Sequence, residues 1–224
     1  MIKKCFNNFI YLFCLVGSMF VIPGLFDKLL NYFKLSDHLI MMISNLLFLF
    51  MLIFYFKDTL IKDYKDFKIN GKKYLGIGIK YWAIGMLVLF SSNLIINLFI
   101  FPGGLAGNEQ AARSMILSAP IISFISMVFI APISEELIFR AGFKKVINNK
   151  WLFVLSSGLI FAFLHVVTDL SPFLKIIYLI PYASLGVSLA FMHYKTNNIY
   201  TSVLIHFIHN FLTFSLIYSV TRYL

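Results

Sequence analysis

Apolar residues run along this chain in blocks longer than a strand or an amphipathic surface helix requires, and polar residues collect in the gaps between the blocks. A bilayer core about 30 Å thick takes about 20 mostly apolar residues per helix. Backbone exposed to lipid must also satisfy its hydrogen bonds internally, which favours helices. On that basis the pattern predicts spans over 8–26, 37–56, 75–100, a long interrupted stretch over 114–147, then 152–168, 173–194 and 199–221. The expected fold is all-α, a polytopic membrane helix bundle of about seven to eight transmembrane helices. Lys3 and Lys4 ahead of an apolar run could open a secretory signal, but the sequence that follows is equally apolar, which favours a first membrane span. No separate soluble domain, low-complexity tract or repeat interrupts the series.

Proline and glycine fall where breaks are expected. Phe101-Pro102-Gly103-Gly104 should end the third span, and Ala131-Pro132 should interrupt the fourth, because proline lacks a backbone donor and its ring presses on the preceding turn. Ser134 is then placed to cap a restarted helix, with Glu135 and Glu136 in its first turn, where the helix dipole favours negative charge. A helix break beside two carboxylates implies a cavity.

Composition sharpens the picture. The 224 residues are 60% hydrophobic and 12% charged, against about 45–50% and about 25% for soluble domains, which excludes a water-soluble single domain. The formal charge of +10 is spread between apolar runs and forms no nucleic-acid face, so the implied partner is a lipid bilayer and the implied location the cell membrane. With a cytoplasmic N-terminus and one net crossing over 114–147, twelve lysines fall on inner segments: Lys3, Lys4, the six of 57–73, Lys144, Lys145, Lys150 and Lys195. Five cationic residues fall outside, Lys28, Lys34, Arg113, Lys175 and Arg222, so the bias supports that orientation. The segment 57–73 also carries Asp58, Asp63 and Asp66 and reads as a solvated cytoplasmic loop that touches anionic lipid at most. Cys5 and Cys14 lack any metal or redox spacing and read as membrane-helix residues.

The informative residues are ionisable groups inside apolar sequence, which cost about 2.5–3.5 kcal/mol at a helix centre and are functional candidates by default. They are Glu135, Glu136, Arg140, His165, His193, His206 and His209, with Asn210 beside them. Glu136 and Arg140 are four apart and face each other, which makes them a structural ion pair; Glu135 points to the side and is left for chemistry. Glu135 lies fifteen residues before Lys150 and His165 fifteen after it, so a hairpin turning there sets both about 22 Å from the turn at about 1.5 Å per residue. Counted from a turn at 195–198, His206 lies about 12–16 Å in and Asn210 about 18–22 Å in, on one helix face. His193, beside Tyr194 and Lys195, reads as an interfacial residue. His209 ranks second to His206, whose four-residue spacing from Asn210 is the better match. The 26 Phe and 12 Tyr read as lipid-facing, packing and interfacial residues.

Three segments carry a family resemblance. Ala131-Pro132-Ile133-Ser134-Glu135-Glu136-Leu137-Ile138-Phe139-Arg140 is similar to the E-E-x-x-x-R motif of the CAAX protease and bacteriocin-processing (CPBP, or Abi) intramembrane proteases. Phe161-Ala162-Phe163-Leu164-His165 matches F-x-x-x-H, and His206-Phe207-Ile208-His209-Asn210 matches H-x-x-x-N, in the same order. The resemblance implies variable N-terminal membrane helices over 1–113 and a catalytic membrane domain over 114–221. It implies an endopeptidase acting on a peptide or membrane-associated protein, in leader, signalling or CAAX-like processing. Glu135 and His165 would activate water, and His206 and Asn210 would stabilise the oxyanion. The donor types suit either a divalent metal such as zinc on Glu135, His165 and His206 or a metal-free glutamate mechanism. The extra imidazole of His209 leaves open which histidine is the oxyanion donor. Two other readings accompany the enzyme: a bacteriocin self-immunity protein of the same family, acting by binding or proteolysis, and a transporter using a buried proton relay.

Overall fold

The computed structural model describes residues 2–167 and 170–223, and the side chains of 6–167 and 170–220. Among these residues the chain forms eight helices: α1 Ile2–Leu30, α2 Asp37–Tyr55, α3 Lys57–Ile95, α4 Gly107–Ser118, α5 Pro120–Val146, α6 Lys150–Val166, α7 Leu179–Thr196 and α8 Ile199–Tyr223. Six helical segments are long and apolar enough to cross a membrane, fewer than the expected seven to eight. The remaining predicted span is α6, a shorter apolar helix of 17 residues.

Two local expectations change. The stretch 57–73 is not a loop: α3 runs unbroken through it for 39 residues. It contains no proline, its lysines are good helix formers, and two of its acidic residues, Asp63 and Asp66, are tied to the start of another helix. Asp63 Oδ2 accepts from Ile199 N at 2.9 Å, while Asn198 Nδ2 donates to Asp63 O at 2.7 Å and to Asp66 Oδ2 at 2.9 Å. Asn197 ends α7 in the left-handed conformation (φ +48°), a region Asn tolerates. Asn198 Oδ1 then accepts from Tyr200 N at 3.1 Å to start α8. The polar tip of α3 therefore fixes where α8 begins, and with it the depth of His206.

The second change concerns Pro132. Helix α5 does not stop there; it widens into π-helical turns at Ile125–Ile130 and Leu137–Gly142, on either side of Ala131–Glu136. A wider turn relieves the clash of the proline ring with the preceding carbonyls without ending the helix, and such turns often mark functional sites. Ser134 is consequently not a helix cap: it lies within the helix, and its buried Oγ has no hydrogen-bond partner among the described residues.

Helix α7 is the hub, packed against α6 on one side and α3 on the other. Close approach depends on missing side chains: a Cβ on Gly158 of α6 would lie 2.7 Å from Val187 N, and one on Gly186 of α7 would lie 2.6 Å from Gly158 O. Small residues let membrane helices pack by backbone contact where lipid offers no hydrophobic drive. Gly158→Ala is expected to force the pair apart at a cost of about 1–3 kcal/mol, read as a lower midpoint of thermal unfolding in detergent; an unchanged midpoint would show that the crossing yields freely. Below the crossing, Phe139, Phe143, Phe153 and Phe161 pack with Leu137 and Ile138 in a fully buried core around the α5–α6 hairpin.

Candidate active site

The site is assembled by α5, α6 and α8. Arg140 Nε donates to Glu136 Oε2 at 3.0 Å, with both side chains fully buried. Burial of this charge is offset by further contacts: Arg140 Nη1 donates to Ser157 Oγ, Ser157 Oγ donates to Phe139 O at 2.7 Å, and the guanidinium lies 5.4 Å from the Phe161 ring centre. Glu136 has a second role that spacing along one helix does not disclose. Its Oε1 lies 3.1 Å from His206 Nδ1, so the carboxylate that neutralises Arg140 also holds an imidazole of α8. A carboxylate accepts, so Nδ1 carries the hydrogen of this bond.

The opposite nitrogen of the same ring faces the neighbouring carboxylate: His206 Nε2 lies 3.7 Å from Glu135 Oε2. Glu136 is sealed, whereas the Glu135 side chain keeps 16% of its surface exposed. Adjacent residues of one helix thus meet opposite faces of a single histidine, and only the Glu135 side is open. The carboxylates meet His206; among the described residues His209 forms no ion pair with either. One turn beyond His206, Asn210 Nδ2 donates to Met127 O of α5 at 2.8 Å, so His206 and Asn210 both front α5.

His165 of α6 is prepared differently. Its Nδ1 lies 2.8 Å from Phe161 O, one turn back, and because a carbonyl only accepts, the hydrogen sits on Nδ1. Nε2 is then the free basic nitrogen. The ring lies between Phe161, at 4.4 Å, and Tyr182 of α7, at 5.3 Å and nearly parallel. Among the described residues no hydrogen bond or ion pair joins His165 to Glu135. The Phe161 ring, 5.8 Å from the His206 ring, is what spaces the two histidines.

His193 sits in the last turn of α7, at the span end where it was expected, but its side chain is buried in protein, at 3% exposure, with its ring 5.9 Å from Phe153. The last turn of α7 is covered by the polar extension of α3 and the end of α5, which sequence assigned to solvent. Ser157 and Tyr182 are site residues that sequence reasoning passed over. Ser157 was visible as a polar residue within an apolar run; Tyr182 had no signal separating it from other packing aromatics.

The donor set gives a partial answer on metal. Glu135 Oε2 and His206 Nε2 are spaced as two ligands of one ion could be, but among the described residues no group of three His, Cys, Asp or Glu side chains converges as a zinc centre would need. His165 in particular does not close the set. Among the described residues this arrangement does not fit a three-ligand metal site.

These features define a polytopic α-helical membrane protein with a carboxylate–histidine centre buried between its helices. Residues 117–212 match the model of the Rce1-like family, described as "Type II CAAX prenyl endopeptidase Rce1-like", in agreement with the resemblance carried by the three motifs. The chain is 29% identical over 218 residues to "UPF0177 protein YaiH" of Lactococcus lactis subsp. lactis, covering 92% of this chain and 86% of that protein. It is 30% identical over 150 residues to "Putative membrane peptidase YdiL" of Bacillus subtilis, covering 63% of this chain and 57% of that protein. It is also 29% identical over 156 residues to "UPF0177 protein in abiGi 5'region" of Lactococcus lactis subsp. cremoris, covering 70% and 61% of the two chains. No solved structure matches the chain.

Proposed function

We propose that the protein is an intramembrane endopeptidase that hydrolyses a peptide bond in a peptide or membrane-associated protein, with residues 114–221 as its catalytic region and its N-terminus on the cytoplasmic side. The observation that carries this reading is the asymmetry of the two carboxylates about His206: Glu136 is sealed on Arg140 and Nδ1, while Glu135 faces Nε2 across 3.7 Å on the open side. Two polar atoms at that separation can share one water at about 2.8 Å from each.

In the proposed reaction Glu135, with the Nε2 of His165, takes a proton from the attacking water while its oxygen bonds to the scissile carbonyl carbon. The carbonyl oxygen becomes an oxyanion and accepts from the Nε2–H that His206 offers as an imidazolium, its Nδ1–H staying on Glu136, and from the second hydrogen of Asn210 Nδ2, the first being donated to Met127 O. Collapse of the intermediate breaks the C–N bond, and the proton held by the base passes to the leaving amine. Glu136 and Arg140 touch no reacting atom; they are positioning residues that fix the His206 ring.

The test is a comparison of cells expressing the wild type or Glu135→Gln, with new protein termini mapped by mass spectrometry and the reaction repeated in ¹⁸O-water. Termini present only with the wild type, carrying ¹⁸O in the new carboxylate, are expected. Equal termini in both strains would overturn the proposal. Within the same assay, Asn210→Ala is expected to lower kcat by about 10²–10³-fold with little change in KM, the behaviour of a lost oxyanion donor. A change confined to KM would instead assign Asn210 to substrate binding.

A further inference from the structure

At the far end of α7 from the Tyr182 ring lies a second polar feature that peptide hydrolysis does not use. The polar extension of α3, the end of α5 and the last turn of α7 form a half-open cavity of about 160 Å³, lined by Thr59, Lys62, Asp63, Lys144, Lys145 and His193 among others. At about 30 Å³ per liquid water, this is room for about five waters, enough for a tetrahedral oxyanion group. The lining runs from Thr59 to Asn197, segments far apart in sequence, so the cavity exists only in the fold.

Its chemistry is cationic and directed. Among the described residues none of Lys62, Lys144 and Lys145 forms an ion pair. The one carboxylate in the lining, Asp63, already accepts from Ile199 N through Oδ2. Two of the ammonium groups are placed by aromatic faces: Lys144 Nζ lies 5.0 Å from the Tyr194 ring centre, and Lys145 Nζ lies 4.2 Å from that of Tyr55 and 4.4 Å from that of Phe56. Each of these ammonium groups meets two rings, Lys144 also lying 5.6 Å from the Phe153 ring centre, but it carries three donors, which ring contacts do not exhaust. His193 supplies the independent observation: its buried side chain lines the cavity, and its Nδ1 has no hydrogen-bond partner among the described residues.

We propose that this cavity binds a phosphate-class anion, either the headgroup of an anionic phospholipid or free phosphate. Lysines 62, 144 and 145 supply the charge, and His193 supplies a hydrogen bond. Basic pockets between membrane helices on the lysine-rich side are suited to such headgroups, and all three lysines fall on the side that the charge bias makes cytoplasmic. An anion there would tie the extension of α3 to the end of α5, and so the anchor of α8 to the helix that carries Glu135.

The experiment measures thermal unfolding of the full chain in a neutral detergent with increasing dioctanoyl-phosphatidylglycerol, dioctanoyl-phosphatidylcholine or inorganic phosphate. Phosphatidylglycerol is expected to raise the midpoint saturably, with phosphatidylcholine giving no shift. The Lys62→Gln/Lys144→Gln/Lys145→Gln variant should weaken the apparent affinity at least tenfold. A charge-matched control, Lys65→Gln/Lys72→Gln/Lys73→Gln, removes three exposed lysines of the same helix that lie outside this cavity and should leave the affinity within twofold. If the triple variant does not fold, Lys62→Gln alone, at an exposed position, carries the comparison. Equal protection by inorganic phosphate would support the site and assign it to free anion. No saturable protection by either anion, or an equal loss in the control, would overturn it. The readout involves no peptide cleavage, so it stands or falls independently of the proposed hydrolysis.

Discussion

Glu135→Gln is expected to reduce peptide-bond hydrolysis by about 10²–10⁴-fold, the usual contribution of a positioned general base, while leaving the unfolding midpoint close to that of the wild type. The amide keeps the size of the carboxylate but cannot take a proton from water. Stability should change little because Glu135 is partly exposed and its one polar neighbour among the described residues, His206 Nε2, stands 3.7 Å away, beyond a direct hydrogen bond. Cleavage assays and thermal unfolding on the same purified sample check both halves. A folded Glu135→Gln protein with wild-type turnover would remove the proposed base.

Glu136→Ala should behave in the opposite way. It leaves Arg140 fully buried without its carboxylate, and breaking a buried pair by removing one partner costs about 3–5 kcal/mol. Ser157 Oγ and the Phe161 face remain as contacts and soften the loss without supplying a counter-charge. The variant also frees His206 Nδ1, so any protein that folds should retain weakened activity with a disordered imidazole rather than none for want of a base. Unfolding in detergent, paired with the cleavage assay, separates the two glutamates: one substitution gives a stable inactive protein, the other an unstable one. Equal stability losses would mean that the two carboxylates share the structural role.

The difference between adjacent, chemically identical residues shows what could be read in advance. The four-residue spacing of Glu136 and Arg140 selects the ion pair because 3.6 residues per turn put those side chains on one face. The same spacing rule could not give the contact of Glu136 with His206, 70 positions away, which depends on α8 crossing α5. His165 was legible as a buried polar group, and its tautomer follows from a bond within its own helix. Its stacking on Tyr182 was not, because 26 Phe and 12 Tyr make any one aromatic an unremarked member of a crowd. The segment 57–73 misled because high charge density reads as solvated loop, whereas Asp63 and Asp66 are spent on the start of α8 and its helix formers carry α3 onward. Pro132 misled in the other direction, since a π-helical turn absorbs a proline that an α-helical turn would not.

The sequence by itself determined the membrane class and the order of the helices, because a bilayer core sets the length of apolar sequence that each span needs. It also singled out Glu135, His165, His206 and Asn210 as the residues to watch. Only the tertiary structure decided which way each helix faces and what stands beside it. Glycine contacts between α6 and α7, the polar tip of α3 and the widened turns of α5 set those rotations. That is why the division of labour between Glu135 and Glu136 around one histidine, and the cationic cavity beneath His193, are properties of the packed bundle: both depend on distances between helices, which no spacing along a single helix encodes.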